Sequence, residues 1–200
     1  MRADLIKALS EARARYPRID LLDRETFIRN LVFVHNVITA TPQLLYAAMM
    51  HSGGDLSAYF EAHLEEERDH ALWLANDLAS EGIDVRALPV SPDAVAMAGS
   101  QYYLIYHVDP AALLGYMAAL ECFPMPETQV RRLEEVHGVD LCRTLRYHAT
   151  HDIDHGSEVL AQIDKLDARQ FRIAMDSAMQ TAAFIGSAIS KIAGETTCTA

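Results

Sequence analysis

Two windows of this 200-residue chain concentrate groups that hold metal ions. HLEEERDHALWL covers residues 63–74 and HATHDIDHGSEVL covers residues 148–160. A helical residue advances by about 100°, so positions i, i+4 and i+7 fall within roughly 60° of one another. His63, Glu67 and His70 have that spacing, and so do His148, Asp152 and His155. Each set would aim from one helix face at one point in space. In both windows that face continues an apolar stripe. Phe60, Leu64, Ala71, Leu74 and Leu78 extend the first, and Leu145, Val159 and Ile163 the second. Ionisable groups are costly to bury without partners. Inward-facing clusters of imidazole and carboxylate therefore call for a compensating charge, and a metal ion supplies it. Mixed ligands of this kind suit iron or manganese, and a helix-bundle core is a place where such sites are built. The bland alternative is that EEERD is a solvated charge run. A single His-x3-Asp-x2-His match also fits a surface patch or a zinc site. One spacing repeated in two helices favours the metal.

A third element carries the same chemistry. DPAALLGYMAALEC, residues 109–122, is apolar almost throughout yet bears Glu121 near its end. A lone carboxylate there either reaches water at a helix end or is a buried ligand. Beside the two His motifs the ligand reading is favoured. Three carboxylates and three or four His are enough for two metal ions. Bridging carboxylates between two irons are how such bundles bind and activate dioxygen.

The elements that must position these groups are helical. Apolar residues recur at helical spacing between sparse breaks, and all seven prolines lie at or before Pro126. Helices are predicted at roughly 2–14, 24–51, 55–81, 93–106, 109–122, 127–136, 139–164 and 167–192. Asp23, Asp109-Pro110 and Ser91-Pro92-Asp93 are helix starts, because a side-chain oxygen caps free N–H groups and Pro fits the first turn. Pro42 should kink the second helix. No segment shows convincing strand alternation. Short loops make consecutive helices antiparallel neighbours.

Composition narrows the function. Lys+Arg is 17 and Asp+Glu is 28, giving a net charge of −11. Half the residues are hydrophobic and 22% are charged, a globular balance. The acidic excess and the lack of Lys/Arg clusters argue against nucleic acid and against docking on an anionic membrane. No stretch holds 18 uninterrupted apolar residues, and the charged N-terminus lacks a signal-peptide core. A soluble, cytoplasmic protein is expected. The odd set Cys122, Cys142 and Cys198 follows no zinc spacing and argues against a disulfide scaffold.

Taken together, these residues are familiar as a set: a His with a nearby Glu, a lone Glu on an apolar helix, then HATHDIDH. The sequence resembles the heme-oxygenase-like diiron oxidases and oxygenases, the iron-containing redox enzyme family. Their relatives include the chlamydial death-domain-associated protein and the alkene-forming fatty-acid oxidase. The similarity spans about residues 24–192, in helix order as well as motifs. It implies an all-α bundle of seven to eight helices forming one heme-oxygenase-like domain over residues 1–200. It implies an enzyme with two Fe ions, Mn being able to replace one, and O2 as cosubstrate. No organic cofactor is expected. The substrate would be a small amino-acid-like or fatty-acid-like molecule undergoing N-oxygenation or oxidative C–C cleavage in a biosynthetic pathway. A homodimer is expected, as is common among such bundles.

Carried over residue by residue, the resemblance assigns the metal to Glu67, His70, Glu121, His148, Asp152 and His155. Some members place the first carboxylate three residues before the His, which is Glu67 here. Others place it seven before, where this chain has His63. His63, Glu66 and His151 stand as additional candidates, with Glu66 at the stripe's edge and His151 as a supporting or structural group. Two other readings stay open. One is a metal-free thiaminase-like or quinone-cofactor-maturation enzyme of the same bundle, whose members typically lack the paired His motifs. The other is a non-catalytic metal-binding or interaction module.

Several further residues have a chemical and a plain reading. Trp73, Tyr102, Tyr103, Tyr106 and Tyr147 could line a pocket or relay electrons, though aromatics at helical spacing are more often core. His35 in FVHNVI could be a heme ligand but reads better as a core histidine. Arg143 and Arg146 could bind a substrate carboxylate or simply face solvent.

Overall fold

The computed structural model describes residues 1–196, without the side chains of Ile153, Glu195 and Thr196. Cys198 lies outside the described residues. They form nine α-helices, with no strand among them. These are α1 (Arg2–Arg13), α2 (Arg24–His51), α3 (Gly54–Glu67), α4 (His70–Ala79), α5 (Pro92–His107), α6 (Ala112–Glu121), α7 (Glu127–His137), α8 (Arg143–Ile163) and α9 (Ala168–Thr196). Short 3-10 turns cover Val85–Ala87 and Asp140–Cys142. The extra helix arises because the run expected over 55–81 breaks at Arg68 and Asp69.

The starts follow local chemistry. The Asp23 carboxylate accepts from the Thr26 amide at 2.9 Å and opens α2. Ser91 caps α5, with Pro92 in its first turn. Asp109 accepts from the Ala111 amide at 3.0 Å, just ahead of α6. α2 continues through Pro42 as one helix. It is long and apolar enough to cross a membrane by length and composition alone. Here Phe27, Leu31, Phe33, Val37, Leu44 and Leu45 are buried, and α2 packs against α3, α4, α5 and α9. One face of α2 is thus covered by four other helices, while Tyr46 and Met50 are exposed.

α6 is the axis of the main core. Every residue from Ala112 to Ala119 is buried, so the helix is apolar all round. It packs on α9, α8 and α5. At Gly115 a Cβ would stand 1.9 Å from the Ala174 carbonyl oxygen, so only glycine lets α9 come this close. Gly156 does the same work on α8. A Cβ there would stand 3.1 Å from the Glu121 carbonyl oxygen and 3.2 Å from Cys122 Cα. α8 therefore lies directly on the end of α6, which brings Glu121 to the His motif of α8. A smaller core of Phe27, Leu31, Leu74, Leu78, Leu133, Leu141 and Cys142 holds α2, α4 and α7 together below. There the buried Asp77 carboxylate accepts from the Thr144 amide at 2.7 Å and anchors the start of α8.

Candidate metal centre

Glu67 is the last residue of α3 and His70 the first of α4. The two-residue break between them does not scatter the motif. His63, Glu67 and His70 are all buried. α8 lies opposite, packed on α4 and α6. The structure thus brings His63, Glu66 and Glu67 from α3, His70 from α4, Glu121 from α6, and His148, Asp152 and His155 from α8 into one region. Among the described residues two groups have ligand atoms all within 4.8 Å of one another. One is His63, Glu66 and His155, and the other is Glu67, His70 and His148.

The two groups adjoin. The His63 and His155 rings are 5.0 Å apart, and the His70 and His148 rings 4.8 Å. Glu67 faces both groups: Oε2 lies 2.9 Å from His70 Nδ1, and Oε1 lies 3.8 Å from His155 Nδ1. Glu66, half exposed, reaches His155 Nε2 at 3.1 Å. Glu121 Oε1 lies 3.4 Å from His63 Nε2. Asp152 Oδ1 lies 3.9 Å from His155 Nδ1.

Many of these donors lack partners. Both ring nitrogens of His63, His70 Nε2, Glu121 Oε2, Asp152 Oδ1 and His155 Nδ1 are buried without a hydrogen bond. Buried polar atoms are nearly always satisfied, so this concentration needs an explanation. His148 is already set up as a ligand. Its Nδ1–H donates to the Thr144 carbonyl at 2.9 Å, which fixes the tautomer and leaves Nε2 free.

The electrostatics point the same way. Burial raises the Glu121 carboxyl above its ordinary range, an effect that nearby His63 only partly offsets. Glu121 also sits at the C-terminal end of α6, where the helix dipole disfavours negative charge. Burial, reinforced by Glu121 and Glu67, pushes Asp152 up to about 8. Burial opposes the charged form of His63, but the carboxylates of Glu121, Glu67 and Glu66 outweigh it and raise its pKa. Glu67 goes the other way: burial raises it, but the His70 contact and neighbouring imidazoles more than compensate. Burial lowers His148, keeping it neutral. Desolvating an ion costs several kcal/mol, and one imperfect His–Glu contact does not recover that for each carboxylate. Without a metal, the cluster holds protons instead. Four ionised carboxylates and four neutral imidazoles would be balanced by two divalent cations.

The remaining candidates fall elsewhere. His151 is exposed and stacks on Tyr147 at 3.8 Å. Its Nδ1–H donates to the Tyr147 carbonyl at 2.9 Å, away from both groups. Arg143 pairs with Asp140 and Arg146 with Glu134. Tyr103 and Tyr106 are exposed, and Tyr102 is half-buried beside Tyr106. Trp73 and Tyr147 contact His70, with ring centroids 4.5 and 5.1 Å away. His35 is on α2, its Nδ1 buried and its pKa lowered by burial.

Tyr59 and Tyr116 escaped the sequence reading. Both hydroxyls are buried, that of Tyr116 near Thr41, and the Tyr59 ring lies 5.8 Å from the His63 ring. The signal was present for Tyr59, which sits four residues before His63 on the same stripe. A pocket of about 730 Å³ lies between α2, α5 and α9 and is lined by Ile28, Val32, Phe33, Val90, Lys191 and others. None of the clustered donors lines it.

Two solved structures share this arrangement of helices. One is a domain of unknown function with a heme oxygenase-like fold from Shewanella denitrificans, at a TM-score of 0.82 and 14% identity. The match covers 98% of this chain and 91% of that one. This chain has a heme-oxygenase-like fold. The second is a TenA homolog from Pseudomonas syringae pv. tomato, at a TM-score of 0.70 and 13% identity, covering 96% of this chain and 92% of that one. At these identities the heme-oxygenase-like likeness is one of backbone. No protein-family pattern and no curated protein sequence matches the chain.

Proposed function

We propose that this protein is a non-heme diiron oxidase or oxygenase, using O2 to oxidise a small organic substrate. The observation that supports it is the pair of adjoining donor groups, with Glu67 facing both and most remaining donors unpartnered. His63, Glu66, Glu121 and His155 would hold one ion. Asp152, 3.9 Å from His155, would serve that same ion, while His70 and His148 would hold the other, with Glu67 placed between. Bound iron would supply the redox chemistry of dioxygen activation. Manganese in one position is compatible with the same donors.

The chain's own residues do the rest. The Thr144 carbonyl orients His148, and Gly156 sets the distance between α8 and Glu121. The apolar walls of α6 and α2 keep water out. Glu67, with one oxygen toward His70 and the other toward His155, would supply a carboxylate oxygen to each group. Substrate would approach along the half-exposed Glu66 edge, since the other donors are mostly enclosed. We place the protein in the cytoplasm as one domain, acting on an amino-acid-like or fatty-acid-like molecule and working as a homodimer.

A second reading is a metal-free enzyme of the same fold, which the likeness to the TenA homolog fits equally. The two differ in one experiment. Anaerobic Fe(II) loading, with iron counted per chain, should give about two for the diiron reading. No retained iron, with candidate substrates present or absent, would leave the metal-free reading.

A further inference from the structure

We propose that Trp73 and Tyr147 form the route by which single electrons reach the metal site from the surface. This inference rests on the diiron reading. Buried His70 touches both rings, Trp73 at 4.5 Å between centroids and Tyr147 at 5.1 Å. Trp73 and Tyr147 also touch each other, at 5.1 Å. Tyr147 then stacks on His151 at 3.8 Å, with the two planes 9° from parallel. Trp73 is 38% exposed and His151 is exposed, so the ring cluster runs unbroken from a buried donor to solvent at two points. Leu72, 60% exposed, adds an apolar contact beside Trp73.

Electron tunnelling weakens exponentially with the gap between groups. Contiguous π systems shorten that gap where a protein wall would otherwise insulate the site. Glu66 and the apolar shell leave little room for a bulky donor to reach the ions directly. The aromatic cluster gives the donor an entry that needs no opening of the site. The step is simple in its balance. A reduced one-electron carrier protein would dock over Trp73 and give up one electron, which the ring cluster would pass to Fe(III) held by His70, leaving Fe(II). No bond forms or breaks, and neither ring has to gain or lose a proton.

The test reads reduction of the metal and not turnover. Protein loaded with Fe(III) under argon is reduced by a flash-generated ruthenium tris-bipyridine complex, too bulky to enter the site. The rate is read from loss of ferric absorbance, and iron per chain is counted on the same samples. Trp73→Leu and Tyr147→Leu should each keep the wild-type iron content. The flash-driven rate should drop by roughly an order of magnitude in the double variant and by less in each single one, since either ring alone still reaches His70, while reduction by small dithionite stays close to wild type. The two variants guard against a fault in one. Unchanged flash-driven rates with normal iron content overturn the route alone. Wild-type protein that retains no iron overturns the diiron reading, and the route with it.

Discussion

Glu67 and His155 face each other across the α3–α8 seam, Glu67 Oε1 lying 3.8 Å from His155 Nδ1. The other Glu67 oxygen is 2.9 Å from His70 Nδ1. One carboxylate thus links two histidine-bearing helices at the point where the two donor groups meet. Helix α3 ends at this residue, and the contact to His70, three residues on, spans the break before α4.

Replacing Asp152 should separate folding from metal binding. Its carboxyl is raised to about 8 in the folded chain from an ordinary 3.8. Between those values the unfolded chain releases this proton and the folded chain keeps it. The metal-free protein therefore loses stability from this group as pH rises from about 4 to about 8. Asp152→Asn removes that loss. Thermal melts of metal-free protein at a pH of about 7.5, toward the top of that window, should show the variant more stable than wild type. Iron loading should fall. A variant that melts lower and flattens no part of the pH profile would refute this assignment.

Metal loading should release protons. Asp152 and Glu121 have raised pKa values, and His63 is raised too. Each must give up its proton to act as a ligand. Titration calorimetry in two buffers of different ionisation enthalpy should reveal net proton release near neutral pH, shrinking above about 8. A heat independent of buffer would contradict it.

Gly156→Ala should harm the site and Gly115→Ala the fold. The Cβ at 156 meets backbone at 3.1 Å, where a small shift of α8 relieves it at the expense of Glu121 placement. Overpacking of that kind costs about 1–3 kcal/mol. For a chain of this size each kcal/mol lowers Tm by roughly 2–4 °C. The Cβ at 115 meets the Ala174 carbonyl oxygen at 1.9 Å and cannot be relieved locally. Calorimetric Tm and iron content should therefore rank the two variants in opposite order among folded protein.

His151→Ala and His155→Ala should differ sharply, although they are one turn apart. His151 is exposed on Tyr147, whereas His155 is buried between Glu66 and Glu67. Iron per chain should stay at the wild-type value in the first and fall in the second. Equal loss in both would place the site wrongly.

The clustering of these donors was largely legible in the sequence, for a physical reason. HATHDIDH lies within one uninterrupted helix, so spacing translated directly into a shared face. Glu121 stood out as the one carboxylate on a helix that is otherwise apolar. The break at Arg68 and Asp69 was not legible, because EEERD is good helix-forming sequence and carries no Gly or Pro. Glu66 was read as marginal because periodicity tracks Cα directions, whereas its long side chain reaches His155 from the rim. The close approaches at Gly115 and Gly156 depend on which helices meet, which spacing within one helix does not encode.

The most direct measurement is anaerobic Fe(II) loading followed by O2 mixing in a stopped-flow spectrometer. About two irons per chain and a transient visible absorbance after mixing are expected, both lost in His148→Ala and Glu121→Ala. Iron that is never retained, or retained iron that is indifferent to O2 with every candidate substrate, would contradict it.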